Sequence, residues 1–325
     1  MTTNTQTNPQ TDSHTNMITV HQDRLGGPEV LRLIETAIPT PGPGEVLVEV
    51  RAAGVNPIDT KIRAGGMWLV PPFTLGWDVS GVVAGVGEGV RRFAVGDEVY
   101  GIPDFPHLAG GYAEFVVASE SSFAPKPTSL DHVHAAALPL SASIAWQALV
   151  EGAGVGPGQR VLIHAAAGGV GHLAVQIAKS RGAYVIGTAS AAKHELLREL
   201  GVDEIVDYTT TDFGTAVRDV DVVLDLIGGD YEDRSLPTLR PGGLLLNITN
   251  PPAADATAAK AEAAGRRGLT FDLDPNPERL ALIGESADAG ELRPIVSETF
   301  PLAEVVKAHE TAEANRTTGK IVLIP

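Results

Sequence analysis

The sequence predicts an α/β protein in which a doubly wound parallel sheet is joined to a second, mostly antiparallel β domain. Arg160 to Ala189 reads as strand, glycine-rich turn, helix and strand, one complete βαβ unit. Strand-like and helix-like runs alternate from there to about Ala264, the pattern of a parallel sheet covered by helices. Before about Lys126 the chain is instead a series of short β segments broken by Gly and Pro.

Residues 1–16, MTTNTQTNPQTDSHTN, carry no apolar residue beyond the initiator and are read as a disordered leader, with Met17 as the natural start. Glu45 to Arg51 sets Val46, Val48 and Val50 against Glu45, Glu49 and Arg51, as a strand with one wet face does. Pro41-Gly42-Pro43-Gly44 is the turn before it, and Val79–Val86, Glu98–Gly101 and Tyr112–Ala118 add strands to a small barrel. Pro125 and Pro127 mark the exit, followed by helices at Asp131–Ala137 and Ser141–Glu151. In the central unit, the apolar run Val161–Ile163 is too continuous for a half-exposed strand. Val170, Leu173, Ala174, Ile177 and Ala178 recur at helical spacing, and Gly182 stops that helix before the strand Tyr184–Ala189. A helix at Lys193–Gly201, strands at Glu204–Tyr208, Asp221–Ile227 and Gly243–Ile248, and an Ala-rich helix at Ala253–Ala264 complete the alternation. Gly268–Asp274 differs, because Leu269, Phe271 and Leu273 alternate with Thr270, Asp272 and Asp274 like an edge strand with one buried face.

The chain's 325 residues suit two domains. Its 43% hydrophobic residues fall in short runs, none near the ~20 needed to cross a membrane. A formal charge of −16 repels nucleic acid and anionic membrane surfaces, so neither is an expected partner. Zero cysteines exclude disulfides, thiol nucleophiles and thiolate zinc sites. A cytoplasmic location is expected.

The turn Ala165-Ala166-Ala167-Gly168-Gly169-Val170-Gly171 matches G-x-G-x-x-G with Ala166 in place of the first glycine. Such a turn lets backbone approach a dinucleotide pyrophosphate, and the following helix presents unpaired N–H groups to its charge. Ala166, Gly168, Gly169, Val170 and Gly171 are therefore expected to bind a dinucleotide. NAD sites usually place an acid about 20 residues beyond the turn, to hold the ribose hydroxyls. None lies between Gly168 and His194; Ser190, Lys193 and, after the next strand, Tyr208 stand there instead, which favours NADPH. The alternative is that Ser190 caps the following helix and Lys193 is solvated.

These residues carry a resemblance to the medium-chain dehydrogenase/reductase superfamily, specifically its zinc-independent, NADPH:quinone oxidoreductase-like (zeta-crystallin-like) branch. GGPEVL at Gly26–Leu31, PGPGEVLV at Pro41–Val48, AAGVNPID at Ala52–Asp59, VGDEVYG at Val95–Gly101 and GKIVL at Gly319–Leu323 all resemble it. The resemblance implies a GroES-like catalytic domain of residues 17–126 and 268–325 around a Rossmann domain of residues 127–267. Zinc-dependent relatives carry metal ligands where this chain has Asn56, Trp77 and, approximately, Leu140, none of which suits zinc. No metal is expected; His132, His134 and His164 are read as structural, and His107 as a solvated loop residue, with substrate contact as its alternative.

Without a metal, the substrate should be electrophilic in itself, a quinone or an α,β-unsaturated carbonyl, as in reactions of the EC 1.6.5 or 1.3.1 type. Hydride transfer leaves negative charge on oxygen, for which Asn56, Lys61 and the backbone at Asn247–Thr249 are candidate donors. The resemblance places Asn56 and Asp59 in a turn facing the nicotinamide, with Lys61 close behind; the alternative reads Asn56 as a turn residue and Asp59 as a helix cap. Trp68, Phe73, Trp77, Phe105 and Trp146 lie in segments that border the cleft in relatives, although core packing is the stronger reading for each. Two other functions stay open: reduction of an enoyl thioester or natural-product intermediate, or NADPH binding with incidental redox activity. A homodimer through the Rossmann domains is expected from the Gly268–Asp274 edge.

Overall fold

The computed structural model describes residues 15–65, 67–107, 110–249 and 254–325. The first domain opens with β1 (Asn16–His21) paired antiparallel to β2 (Arg32–Ala37). Then come β3 (Glu45–Val55), α1 (Pro57–Gly65), β4 (Asp78–Val86), β5 (Glu98–Gly101), β6 (Phe115–Ser119) and β7 (Phe123–Pro125). Two short helices, α2 (His132–Ala135) and α3 (Pro139–Trp146), lead into the second domain, and α3 loosens into a wider turn over Gln147–Gly152.

The second domain alternates β8 (Arg160–Ile163), α4 (Gly171–Ser180), β9 (Tyr184–Ala189), α5 (His194–Glu199), β10 (Glu204–Asp207), α6 (Phe213–Ala216), β11 (Val220–Asp225), α7 (Asp230–Ser235), β12 (Leu239–Asn247), α8 (Ala254–Ala263) and β13 (Arg267–Leu269). All its strands are parallel, in the order β10-β9-β8-β11-β12-β13. The order reverses between β8 and β11, which opens a ligand crevice at the strands' carboxyl ends. The chain then returns through α9 (Pro277–Asp288), β14 (Val296–Pro301), α10 (Val305–Glu313) and β15 (Lys320–Ile324) to finish the first domain's sheet, β14-β15-β3-β4-β5-β7, with β6 also on β3. The α/β architecture expected from the sequence is therefore present, with a parallel domain beside an antiparallel one.

Several boundaries differ from expectation. Most of the leader read at 1–16 lies outside the described residues, and Asn16 already begins β1. The strand read at Gly268–Asp274 starts at Arg267 and ends at Leu269, so a domain boundary at 268 cuts β13, which belongs to the parallel sheet. The physical cause is Gln147: its amide donates to the Asp272 carbonyl at 3.1 Å and accepts from the Asp274 amide at 3.3 Å. Backbone satisfied by a side chain has no need of a neighbouring strand. Arg279 locks the same segment through the Asp274 carbonyl, at 2.5 Å, and a two-pronged pair with Glu151, at 2.8 Å for each contact. The apolar stripe expected on α4 understates its burial, because every residue from Gly171 to Ala178 is buried.

Candidate functional site

The glycine turn connects β8 to α4. Ala165 takes a positive φ of 48°, and its carbonyl accepts from the Gly168 amide at 2.8 Å; the Gly168 carbonyl in turn accepts from the His172 amide at 3.0 Å. Val170 precedes the helix without a side-chain cap, so among the described residues the Gly169, Val170 and Gly171 amides are left for an anion. The glycines serve different ends. A Cβ on Gly171 would collide with the Ala165 carbonyl and lie 2.8 Å from Ala166 Cα, so this glycine holds helix against strand. A Cβ on Gly169 would lie 3.3 Å from the Lys320 side chain, so this glycine makes room for the opposing domain. Buried Ala166 is fixed by its amide's bond to the Thr188 carbonyl at 3.1 Å.

His172 braces the turn. Its Nε2 accepts from the Ile295 amide at 3.0 Å, so Nδ1 carries the proton and donates to the Gly168 carbonyl at 2.9 Å. Burial pushes its pKa down to about 4, which keeps the ring neutral. Gln176, one turn along α4, exchanges two bonds with the Arg293 backbone, at 2.9 and 2.8 Å. His164 is structural as read: buried, pushed down to about 3 by desolvation, and bonded to Thr188 and Ser235.

At the far end of the crevice, Ser190 precedes the turn before α5 with no side-chain cap bond, so the capping alternative fails and its hydroxyl is left for a ligand. Lys193 is half-buried rather than solvated. Its ammonium donates to the Thr317 carbonyl at 2.9 Å, and burial lowers its pKa. Tyr208 lies just beyond β10 and is 46% exposed. The sequence reading missed Asp207, whose carboxylate lies near the Ala191 amide and His194. Thr209 occupies one of its oxygens through hydroxyl and amide, at 2.6 and 2.9 Å, and the Thr209 hydroxyl is the chief cause of its lowered pKa.

The other wall belongs to the first domain, where three neighbouring strands end together. Asn56 follows β3, Asp78 begins β4 and Lys320 begins β15; the registers Gly54↔Asp78 and Ile321↔Val55 place them side by side. Lys320 Nζ donates to Asn56 Oδ1 and, at 2.8 Å, to Asp78 Oδ2, while Asn56 Nδ2 donates to the same carboxylate oxygen at 2.9 Å. Asp78 Oδ1 accepts from the Leu140 amide at 2.6 Å. All three side chains are nearly fully buried, with Asp78 at 0% and Asn56 and Lys320 at 2%. Gly54 makes room, since a Cβ there would lie 2.8 Å from Asp78 Cβ. The Gly319 amide donates to the Ala167 carbonyl at 2.9 Å, which seats this cluster directly against the glycine turn.

Asn56 thus joins this buried cluster, but its two expected companions do not. Asp59 is fully buried; its Oδ2 accepts from the Asn56 amide at 2.7 Å and the Tyr112 hydroxyl at 2.9 Å, while its Oδ1 has no partner among the described residues. It is a cap and a brace rather than a group that meets substrate, and desolvation pushes its pKa up to about 7. Lys61 is exposed on α1 and takes no part in the buried cluster. Asn247 and Thr249 also differ from expectation. The Thr249 amide and hydroxyl both bond Asn247 Oδ1, at 2.9 and 2.8 Å, so that amide is already spent, and Asn247 Nδ2 donates to Glu232 at 3.0 Å. Lys320 and Asp78 carried no signal of their own, because their sequence separations from Asn56 hide a contact that only strand pairing creates.

The positions where zinc-dependent relatives carry ligands hold an amide engaged with Asp78, an indole and an aliphatic chain. Trp77 donates its Nε1–H to the His107 carbonyl at 3.0 Å and is completely buried. These residues do not fit a zinc ion. Among the described residues no group of three or more His, Cys, Asp or Glu could hold a metal. Phe105 meets Trp77 edge-on at 5.6 Å and Trp68 at 6.3 Å, and Trp68 is 44% exposed. Phe73 and Trp146 pack into the two cores, as the bland reading had them.

Two family models match the chain, "Alcohol dehydrogenase GroES-like domain" over residues 42–128 and "Zinc-binding dehydrogenase" over residues 200–323. A 2-haloacrylate reductase from a Burkholderia species is 36% identical over 325 residues, covering 93% of this chain and 97% of its own length. The solved quinone oxidoreductase of Coxiella burnetii superposes with a TM-score of 0.91 at 37% identity, covering 95% of this chain and 99% of its own. A mycobacterial protein solved in complex with NADPH superposes at 0.83 with 31% identity, covering 95% of this chain and 100% of its own. With these matches over nearly its whole length, the chain is an oxidoreductase that belongs to the medium-chain dehydrogenase/reductase superfamily, in its quinone oxidoreductase-like branch.

Proposed function

We propose that this protein is an NADPH-dependent reductase of quinones or α,β-unsaturated carbonyl compounds. The observation that carries the reading is the Asn56–Asp78–Lys320 cluster seated against the glycine turn: hydrogen-bond donors stand beside the cofactor wall where relatives use a metal. Such a site suits an acceptor whose electrophilicity is built in. The similar 2-haloacrylate reductase and quinone oxidoreductase bear names that fit both halves of that substrate class.

Bound NADPH would supply a hydride from its nicotinamide ring. The Gly169–Gly171 amides would hold the pyrophosphate, and the helix behind them favours its charge. Ser190, Lys193 and Tyr208 would meet the 2′-phosphate, with Asp207 turned to Thr209. Asn56 presents an N–H to the acceptor's oxygen, and the indole of Trp68 and ring of Phe105 offer apolar faces to an aromatic acceptor. We also propose a homodimer through the short edge strand β13, where Leu269 is 37% exposed. Leu269→Asp should then shift light scattering from dimer toward monomer. The functional reading is tested by steady-state assays of quinones, enones and enoyl thioesters with NADPH and NADH. Turnover of quinones or enones, with NADPH preferred, supports it; turnover of enoyl thioesters alone replaces it, and tight NADPH binding without turnover of any acceptor refutes it.

A further inference from the structure

We propose that the Lys320 ammonium does in this chain what the metal does in zinc-dependent relatives: it stabilises the negative charge that develops on the acceptor's oxygen. The inference rests on the reductase reading above and adds the residue that would make it work. The resemblance puts Asn56, Trp77 and, approximately, Leu140 where those relatives hold their ion. Here Asn56 accepts from Lys320, Asp78 beside Trp77 pairs with the same ammonium at 2.8 Å, and the second oxygen of Asp78 holds the Leu140 amide at 2.6 Å. One cation and its carboxylate thus tie together Asn56, Asp78 and the Leu140 amide.

The donor count leaves this cation useful. An ammonium has three N–H bonds, and two are taken by Asn56 and Asp78; a carboxamide has two, and Asn56 spends one on Asp78. One N–H remains on each side chain, a pair of donors for a single oxygen. The Lys320 stem runs against Gly169, where a Cβ would come within 3.3 Å of its Cδ, so the ammonium sits at the junction of cofactor turn and acceptor wall. Burial of both Lys320 and Asp78 keeps water from weakening the field. Bound NADPH would supply a hydride to the β-carbon of an enone and leave as NADP+; the C=C pair would then shift to form the enolate and the carbonyl π pair move onto oxygen. That oxygen accepts hydrogen bonds from Lys320 and Asn56, and water then protonates the enolate. A quinone takes the same hydride and leaves as its hydroquinone once the monoanion is protonated by water.

The test is a series of acceptors graded from strongly oxidising quinones to weakly activated enones, assayed with wild type, Lys320→Met and the charge-balanced Asp78→Asn/Lys320→Met. The double variant guards against the unpaired buried carboxylate that Lys320→Met alone leaves behind. Expected is a loss of kcat of about 100-fold for enones in both variants and much less for quinones, since loss of one oxyanion donor costs about that much. NADPH affinity, read by fluorescence titration without acceptor, should change less than about threefold, and Lys320→Arg should recover part of the enone activity. A loss equal for every acceptor, or recovery in the double variant, would show that Lys320 merely holds Asp78 and would overturn the assignment. Wild type inert toward all acceptors fails the reductase reading and the assignment with it. Active wild type matched by Lys320→Met fails the assignment alone.

Discussion

The wall of the cleft proposed to hold the cofactor is built from backbone atoms, and the wall proposed to meet the acceptor from side chains. The turn at Ala165–Gly171 fixes three amides by local bonds within seven consecutive residues, and its geometry demands small residues at set spacings. The Asn56–Asp78–Lys320 cluster draws on three strand ends separated by 22 and 242 residues, and any residue could occupy those places as far as the backbone is concerned. Backbone chemistry is therefore the local part of this site, and side-chain chemistry is the part that long-range strand pairing assembles.

Breaking the cofactor wall should have the largest effect. Gly171→Ala puts a Cβ against the Ala165 carbonyl and Ala166 Cα, backbone that cannot swing aside, and should cost about 3 kcal/mol of stability in urea titration along with most NADPH affinity. A drop below about 0.5 kcal/mol would mean that the turn is softer than its contacts imply.

On the acceptor wall, Asp59 makes folding depend on pH. Its pKa is pushed up to about 7 from 3.8 by burial, so the native state holds a proton that the unfolded chain has released. Its contribution is fully present below about pH 4 and is lost as pH rises through 7. Asp59→Asn keeps an acceptor for the Asn56 amide and has no such proton to lose. Between pH 5 and 8 wild type should lose about 2 kcal/mol more than the variant in parallel denaturation curves. Equal losses would show that Asp59 is ionised throughout. Activity of Asp59→Asn should fall less than about threefold, as befits a brace.

The comparison sharpens at Lys193, which reaches from the cofactor wall to the Thr317 carbonyl. Lys193→Ala should lower kcat/KM for NADPH about tenfold, about 1.4 kcal/mol, and leave NADH nearly unchanged. Equal losses with both cofactors would assign the lysine to holding Thr317. The smallest effect belongs to Lys61→Ala. This lysine is exposed and outside the buried cluster, so kcat/KM should change less than about twofold. A larger loss would make α1 part of the acceptor wall.

Much of the fold was legible because alternation and glycine punctuation report local geometry. The central βαβ unit, the strand Glu98–Gly101 and the alternation of the second domain appear where the sequence puts them. The Gly268–Asp274 reading failed because alternation records only which residues face inward, and Gln147 bonds the backbone there in place of a strand. In the site, the glycine turn was legible through spacing, and Asn56 only through the resemblance of AAGVNPID. Lys320 was in view only as a member of GKIVL, and its partner Asp78 followed a tryptophan with no pattern around it. Their meeting depends on β15 and β4 both pairing with β3, a tertiary fact that no window of sequence contains.

The bonds that brace α4 also decide how this cleft can breathe. His172 holds the Ile295 amide, Gln176 holds both backbone groups of Arg293, and the Gly319 amide holds Ala167, so the floor of the crevice is riveted at successive points to the strands that close the first domain. A hinge with a riveted floor opens like a book: its spine stays shut and its outer edges travel furthest. In such an opening the aromatic edge at Trp68 and Phe105 would sweep the widest arc, while Lys320, packed against Gly169 near the spine, would move least. Admission of an acceptor would then be governed by the rim, with the ammonium proposed to stabilise its oxygen already in place. Hydrogen exchange offers a direct reading, with the Ile295 and Gly319 amides among the slowest in the chain and amides near Phe105 among the faster ones.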